Sequence, residues 1–78
     1  MPYKVGTLFI RNWNINRIDI DLIKRIEAVL ENGKYYKVSY LFNKINRHQY
    51  TYSMRELEYE HILTEEDIKL LNKILTFQ

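Results

Sequence analysis

Hydrophobic and polar positions alternate over residues 34–53, KYYKVSYLFNKINRHQYTYS. Because successive side chains of a β-strand point to opposite faces, this alternation predicts two strands that each bury one face. On the first strand the buried face is expected to carry Tyr36, Val38, Tyr40 and Phe42. On the second strand it is expected to carry His48, Tyr50, Tyr52 and Met54. Residues 43–46 between the two runs have the length of a hairpin loop, so we predict a β-hairpin.

Residues 3–10 also alternate, with apolar residues on both faces, which predicts a first strand in a central position of the sheet. Residues 11–17, RNWNINR, contain three asparagines and are predicted to form a loop. Trp13 in this loop is expected to close one end of the core. The alternative is that Trp13 is exposed and anchors a binding partner.

Residues 18–33 show the spacing of a helix, because their apolar residues recur at steps of three and four. These residues are Leu22, Ile23, Ile26, Val29 and Leu30. Asp19 suits the N-cap of such a helix, and Gly33 suits the left-handed position that follows a helix end. We therefore predict a helix over residues 18–33, with Lys24, Arg25, Glu27 and Glu31 on its solvent side.

The stretch after the hairpin has two interpretations. Ser53 and Glu56 fit a capping box, which predicts a short helix through about His61. Residues 56–63 also alternate, which would suit a third strand; the abundance of glutamate favours the helix. Thr64 is a good N-cap for a final helix. The buried stripe of that helix is expected to contain Ile68, Leu71, Ile74 and Leu75, with Leu70 beside it.

These elements predict an α+β fold in which residues 1–78 form a single compact domain. We expect a small antiparallel sheet of about three strands, in the order β-α-β-β-α-α, with the helices packed on one face. A chain of 78 residues without cysteine has a thin core and no disulfides to support it. This favours a homodimer.

The formal net charge of +2 is unevenly distributed, since residues 1–52 carry nine basic and four acidic residues. An excess of basic residues in this part of the chain can steer a charged partner. Two ordinary solvated surfaces would give the same uneven distribution of charge. The N-terminal residues lack the layout of a signal peptide and no apolar run is long enough to span a membrane, so we expect a cytoplasmic protein with no membrane partner. Ten isoleucines and seven each of lysine, asparagine and tyrosine indicate an A/T-rich genome, that of a low-GC bacterium or its virus.

Several kinds of chemistry lack their residues. Without cysteine and with only Ser39 and Ser53 as serines, the chain has no nucleophile motif. Gly6 and Gly33 are isolated, so no glycine-rich phosphate loop is present. Two histidines thirteen residues apart do not form a metal-ligand motif. We therefore expect no enzymatic activity, no cofactor and no metal site.

Binding is the remaining class of function. The preferred prediction is a small non-catalytic protein-binding module, a phage-encoded inhibitor or modulator of a host bacterial protein that acts through an aromatic hairpin surface. The first alternative is a nucleic-acid-binding protein that uses its basic, tyrosine-rich hairpin. The second is binding of a nucleotide or another small ligand at a homodimer seam. The predicted binding residues are Trp13, Tyr35, Lys37, Leu41, Lys44, Ile45 and Arg47.

Overall fold

The computed structural model describes residues 3–42 and 48–76. Its centre is a five-stranded antiparallel sheet in the order β4-β3-β2-β1-β5. The strands are β1 Leu8–Ile10, β2 Lys24–Leu30, β3 Tyr35–Tyr40, β4 Tyr50–Ser53 and β5 His61–Ile62. Two helices complete the fold, α1 Met54–Leu57 and α2 Glu65–Thr76. The α+β class is confirmed, but the sheet has five strands instead of about three.

The helix predicted over residues 18–33 is wrong. Ile20–Leu22 form a single 3₁₀ turn, which Asp19 caps by accepting a hydrogen bond from the backbone N–H of Asp21 at 3.1 Å. The chain then enters β2, which lies between β1 and β3. This strand places Lys24 and Ile26 in the protein interior, so Lys24 does not lie on a solvent face as predicted.

A β-bulge explains why this strand has the spacing of a helix. Ile26 pairs with Val38 and Ala28 pairs with Lys37, so Glu27 is an additional residue on β2. The added residue reverses the alternation, and Ile26 and Val29 therefore lie on the same face although they are three positions apart. A three-residue step between apolar positions is also what a helix produces.

A tight turn joins β2 to β3. Glu31, Asn32 and Gly33 have φ values of 48°, 56° and 93°, which is left-handed backbone in three successive residues. Asparagine tolerates this region and glycine adopts it without steric cost. Asn32-Gly33 therefore marks a hairpin turn here and not the end of a helix.

The predicted hairpin of β3 and β4 is confirmed. Tyr36 pairs with Tyr52 and Val38 with Tyr50, and both Tyr36 and Val38 are fully buried. The inward face is not covered along its whole length, because Phe42 and Tyr50 are 38% and 45% exposed. The predicted loop of residues 43–46 lies outside the described residues.

The first strand is shorter than predicted but occupies the expected interior position between β2 and β5. Its adjacent residues Phe9 and Ile10 are 0% and 2% exposed, so both faces of β1 are covered. Gly6 has a φ of 91° and lies in a turn before the strand, closed by a hydrogen bond from the N–H of Thr7 to the carbonyl of Lys4 at 3.1 Å.

Both interpretations of residues 53–63 are partly correct. The capping box forms, since the N–H of Glu56 donates to Ser53 Oγ at 3.1 Å and the N–H of Ser53 donates to Glu56 Oε1 at 3.4 Å. The helix ends at Leu57, and β5 follows and pairs with β1 through His61 and Ile62.

The core has one cluster on each face of the sheet. The first consists of Phe9, Ile26, Tyr36, Val38 and Leu57, and the second of Ile10, Ile23, Leu63 and Leu71. Because Phe9 and Ile10 are neighbours on β1, they point to opposite faces. Helix α1 supplies Leu57 and α2 supplies Leu71, so the two helices lie on opposite faces and the prediction of one helical face is wrong.

Helix α2 confirms the last predicted element. Thr64 caps it, because the N–H of Asp67 donates to Thr64 Oγ1 at 3.1 Å and the N–H of Thr64 donates to Asp67 Oδ2 at 2.9 Å. Leu71 is buried, and Ile68 and Leu75 pack beside it against the second cluster. Leu70 is 43% exposed and lies outside this packing.

Candidate functional site

Part of the sheet face that bears α2 is open to solvent. Helix α2 packs on the second cluster, which is built on β1 and on residues just before β2 and just after β3. The other parts of β2, β3 and β4 on this face are exposed. We call this area the open sheet surface; its residues are Arg25, Leu30, Tyr35, Lys37 and Thr51.

The register of the strands arranges these side chains in rows. Lys37 pairs with Ala28 on β2 and with Thr51 on β4, so it lies in the middle of a row that crosses three strands. Tyr35 is two residues away on the same face, beside Leu30, and is 42% exposed. This pairing therefore places a central cation next to an exposed tyrosine ring.

The charge of the open sheet surface is basic. Arg25 and Lys37 are exposed and form no ion pair with any carboxylate in residues 3–42 and 48–76. The acidic residue on this face is Glu27 at the bulge, whose Oε1 accepts a hydrogen bond from Ser39 Oγ at 2.6 Å. The two exposed cations are therefore available to an acidic partner.

Strand β4 is at the edge of the sheet and pairs, within the described residues, with β3 alone. The capping box of α1 protects the end of this edge, because the N–H of Ser53 donates to Glu56 Oε1 instead of to another strand. This arrangement shortens the length of β4 that a further strand could pair with.

Of the predicted binding residues that the structure describes, Tyr35 and Lys37 lie together on the open sheet surface. Trp13 is half-buried, packs against the second cluster and stacks on the His61 ring with centroids 5.2 Å apart, so it closes the core as expected. Leu41 was expected to be exposed, but it is half-buried and packs against the same cluster. Lys44, Ile45 and Arg47 lie outside the described residues.

A second feature is a cavity of about 620 Å³ on the sheet face that carries α1. The loop of residues 11–17 and the segment after α1 form its walls. Its polar and aromatic lining includes Arg11, Arg17, Lys24, Tyr40, Tyr52, Tyr59 and Glu60. Sequence reasoning did not identify this cavity, because the interpretation of residues 18–33 as a helix placed Lys24 in solvent.

A buried ion pair lies at this cavity. Lys24 Nζ is 2.8 Å from Glu60 Oε1, and the two side chains are only 8% and 5% exposed. The ammonium also donates to the hydroxyl of Tyr52 at 3.3 Å and lies 5.2 Å from the ring centroids of both Phe9 and Tyr52. These contacts satisfy the charge of Lys24 by attraction to aromatic faces as well as to a carboxylate.

The environment stabilises the charged form of Lys24. Burial disfavours the ammonium, but the hydrogen bonds and charges of Glu60 and Tyr52 outweigh that effect and raise the pKa of Lys24 above its ordinary value. Lys24 therefore remains a cation at neutral pH. Glu60 is less well satisfied, since its Oε2 is buried and has no hydrogen-bond partner within the described residues.

A polar contact between His61 and Asp67 fixes the start of α2. His61 Nε2 is 2.9 Å from Asp67 Oδ2, the same oxygen that accepts from the N–H of Thr64. The hydrogen bond from the Thr64 backbone, followed by the contact with His61, lowers the pKa of Asp67. Since His61 also stacks on Trp13, the loop of residues 11–17 and α2 are held against each other.

Residues 3–42 and 48–76 contain no group of three histidine, aspartate or glutamate side chains arranged to hold a metal ion. No helix in that part of the chain is long and apolar enough to cross a membrane. Comparison of the sequence with protein-family models and with curated proteins, and of the structure with solved structures, gives no match.

Proposed function

We propose that the protein is a non-catalytic protein-binding module that binds its partner through the open sheet surface. The observation that supports this proposal is the exposed Tyr35 beside Lys37 on a sheet face that α2 leaves uncovered. Tyrosine offers a large, rigid contact area at low conformational cost, and it is enriched at protein interfaces. Lys37 and Arg25 add a positive charge, so the partner surface is expected to be acidic.

The finer proposal concerns the kind of partner. The abundance of isoleucine, lysine, asparagine and tyrosine is typical of A/T-rich genomes, which supports a low-GC bacterium or its phage as the source. Occupying the surface of a host protein is one way in which a small protein without catalytic residues can act. We therefore propose an inhibitor or modulator of a host bacterial protein in the cytoplasm.

Paired surface variants test this proposal. Tyr35→Ala with Lys37→Glu changes two exposed positions of the open sheet surface, whereas Tyr59→Ala with Lys69→Glu makes the same chemical changes elsewhere. We expect the first variant to lose capture of the partner and the second to retain it, with cooperative thermal unfolding in both. Equal capture by the two variants would exclude the open sheet surface as the binding site.

Nucleic acid is the second candidate, because an exposed tyrosine next to Lys37 and Arg25 on an open sheet is also an arrangement that stacks bases and binds phosphates. This alternative predicts an affinity that falls steeply with salt concentration and a smaller salt slope for Lys37→Glu. Binding that survives nuclease treatment and changes little between low and high salt would argue for a protein partner.

A further inference from the structure

We propose that the cavity beside the loop of residues 11–17 binds a phosphorylated small molecule with a planar ring, of the size of a nucleoside monophosphate. The site is separate from the open sheet surface, because it lies on the opposite face of the sheet. Its volume of about 620 Å³ falls within the usual range for ligand pockets, roughly 300–1,000 Å³.

The cavity is lined by three basic residues, Arg11, Arg17 and Lys24, and by three acidic ones, Asp19, Glu56 and Glu60, so its formal charges balance. Lys24 and Glu60 are paired with each other, whereas Asp19 and Glu56 accept hydrogen bonds from backbone N–H groups. Arg11 and Arg17 are exposed, and neither forms an ion pair with a carboxylate of the described residues. Two guanidinium groups that line one cavity suit a phosphate, because each can donate two parallel hydrogen bonds to its oxygens.

The walls of the cavity provide aromatic surface. Tyr40 and Tyr52 line it from the sheet, and Tyr59 lines it from the segment after α1. Tyr59 is 71% exposed, although aromatic side chains normally bury most of their area. A planar ring stacked on Tyr59 would cover this surface.

Glu60 provides an independent indication of a ligand. Its Oε1 is occupied by Lys24, but Oε2 has no hydrogen-bond partner within the described residues, and the side chain is only 5% exposed. Buried carboxylate oxygens are rarely left without a donor. An N–H group on the ring of the ligand, as nucleobases carry, is the kind of donor that Oε2 lacks.

Titration of the ¹⁵N-labelled protein with the four common nucleoside monophosphates tests the proposal, with inorganic phosphate and the free nucleosides as separate arms. At least one monophosphate is expected to bind with shifts centred on the cavity, and more tightly than phosphate or its own nucleoside. Arg17→Gln and Tyr59→Ala are each expected to weaken binding about tenfold, which corresponds to the loss of one charged hydrogen bond or one stacking contact.

The matched controls are Arg25→Gln and Tyr35→Ala, which change the same residue types on the opposite face and should bind like the unchanged protein. The proposal is overturned if no monophosphate binds at millimolar concentration, if phosphate alone binds equally well, or if the controls weaken binding as much. Because Tyr35→Ala belongs to the other site, failure of this proposal and failure of partner binding are separable.

Discussion

Replacing Lys24 by methionine tests how the interior is held together. The change removes the cation that lies 2.8 Å from Glu60 Oε1. The Glu60 carboxylate, whose side chain is only 5% exposed, then has no counter-charge among the described residues. Breaking a buried ion pair from one side typically costs about 3–5 kcal/mol. A domain of this size has a stability of only about 3–5 kcal/mol from its core. Lys24→Met alone is therefore expected to be largely unfolded in plain buffer.

The double variant Lys24→Met with Glu60→Leu gives the decisive comparison. It replaces both charges by apolar side chains of similar volume, a change that is often neutral or stabilising for a buried ion pair. We expect the double variant to be more stable than either single variant, because no unpaired charge remains. Lys69→Met, at an exposed position of α2, is the control and should lose less than about 0.5 kcal/mol.

Urea unfolding followed by circular dichroism measures these stabilities, with a fixed concentration of a stabilising osmolyte so that the single variants populate the folded state. A loss of 3 kcal/mol corresponds to a decrease of about 12–24 °C in Tm for a domain of this size. The reasoning is refuted if the double variant loses the sum of the two single losses, or if Lys24→Met alone costs less than about 1 kcal/mol.

Three further measurements test other parts of the structure. Gly6→Ala should cost about 1–2 kcal/mol, from its φ of 91° alone, because nothing lies within 4 Å of the added methyl group, and an unchanged urea midpoint would contradict this. Asp67→Asn should destabilise the protein at neutral pH; since the folded pKa of Asp67 is lowered, the difference from the unchanged protein should shrink as the pH falls below 3.8, and a constant difference would contradict this. The sequence predicts a homodimer, for which light scattering at high micromolar concentration should give twice the mass of 9.6 kDa, and the monomer mass would exclude it.

The elements that could be predicted from the sequence are those with local signals. Tyr36 and Val38 alternate with polar neighbours, and they are buried as expected. Ser53 and Glu56 form the capping box that their spacing indicates. These patterns depend on residues close in the chain, so no knowledge of the rest of the fold was needed.

The error in residues 18–33 has a specific physical cause. The bulge at Glu27 turns the two-residue period of β2 into a three-residue step between Ile26 and Val29, which imitates a helix. Asn32-Gly33 was a signal for a hairpin, but it also fits a helix end, and the false helical spacing decided between the two. The two additional strands are β2, which the misassignment turned into a helix, and the two-residue β5.

The candidate sites were harder to predict because they depend on pairing across the sheet. Tyr35 and Lys37 could be assigned to an outward face from alternation alone. The burial of Lys24 could not, since its partner Glu60 lies 36 residues further along the chain. The cavity depends on this contact and on the loop of residues 11–17, so it could not be identified before the fold was known.

The most direct test of the account is affinity capture from a lysate of a low-GC bacterium after nuclease treatment. The test compares three proteins at equal folded concentration. They are the unchanged protein, the surface variant Tyr35→Ala with Lys37→Glu, and the control Tyr59→Ala with Lys69→Glu. The account predicts one discrete protein that the unchanged protein and the control retain and the surface variant loses. Retention of the same partner by all three, or loss of every partner on nuclease treatment, would contradict a protein-binding role for the open sheet surface.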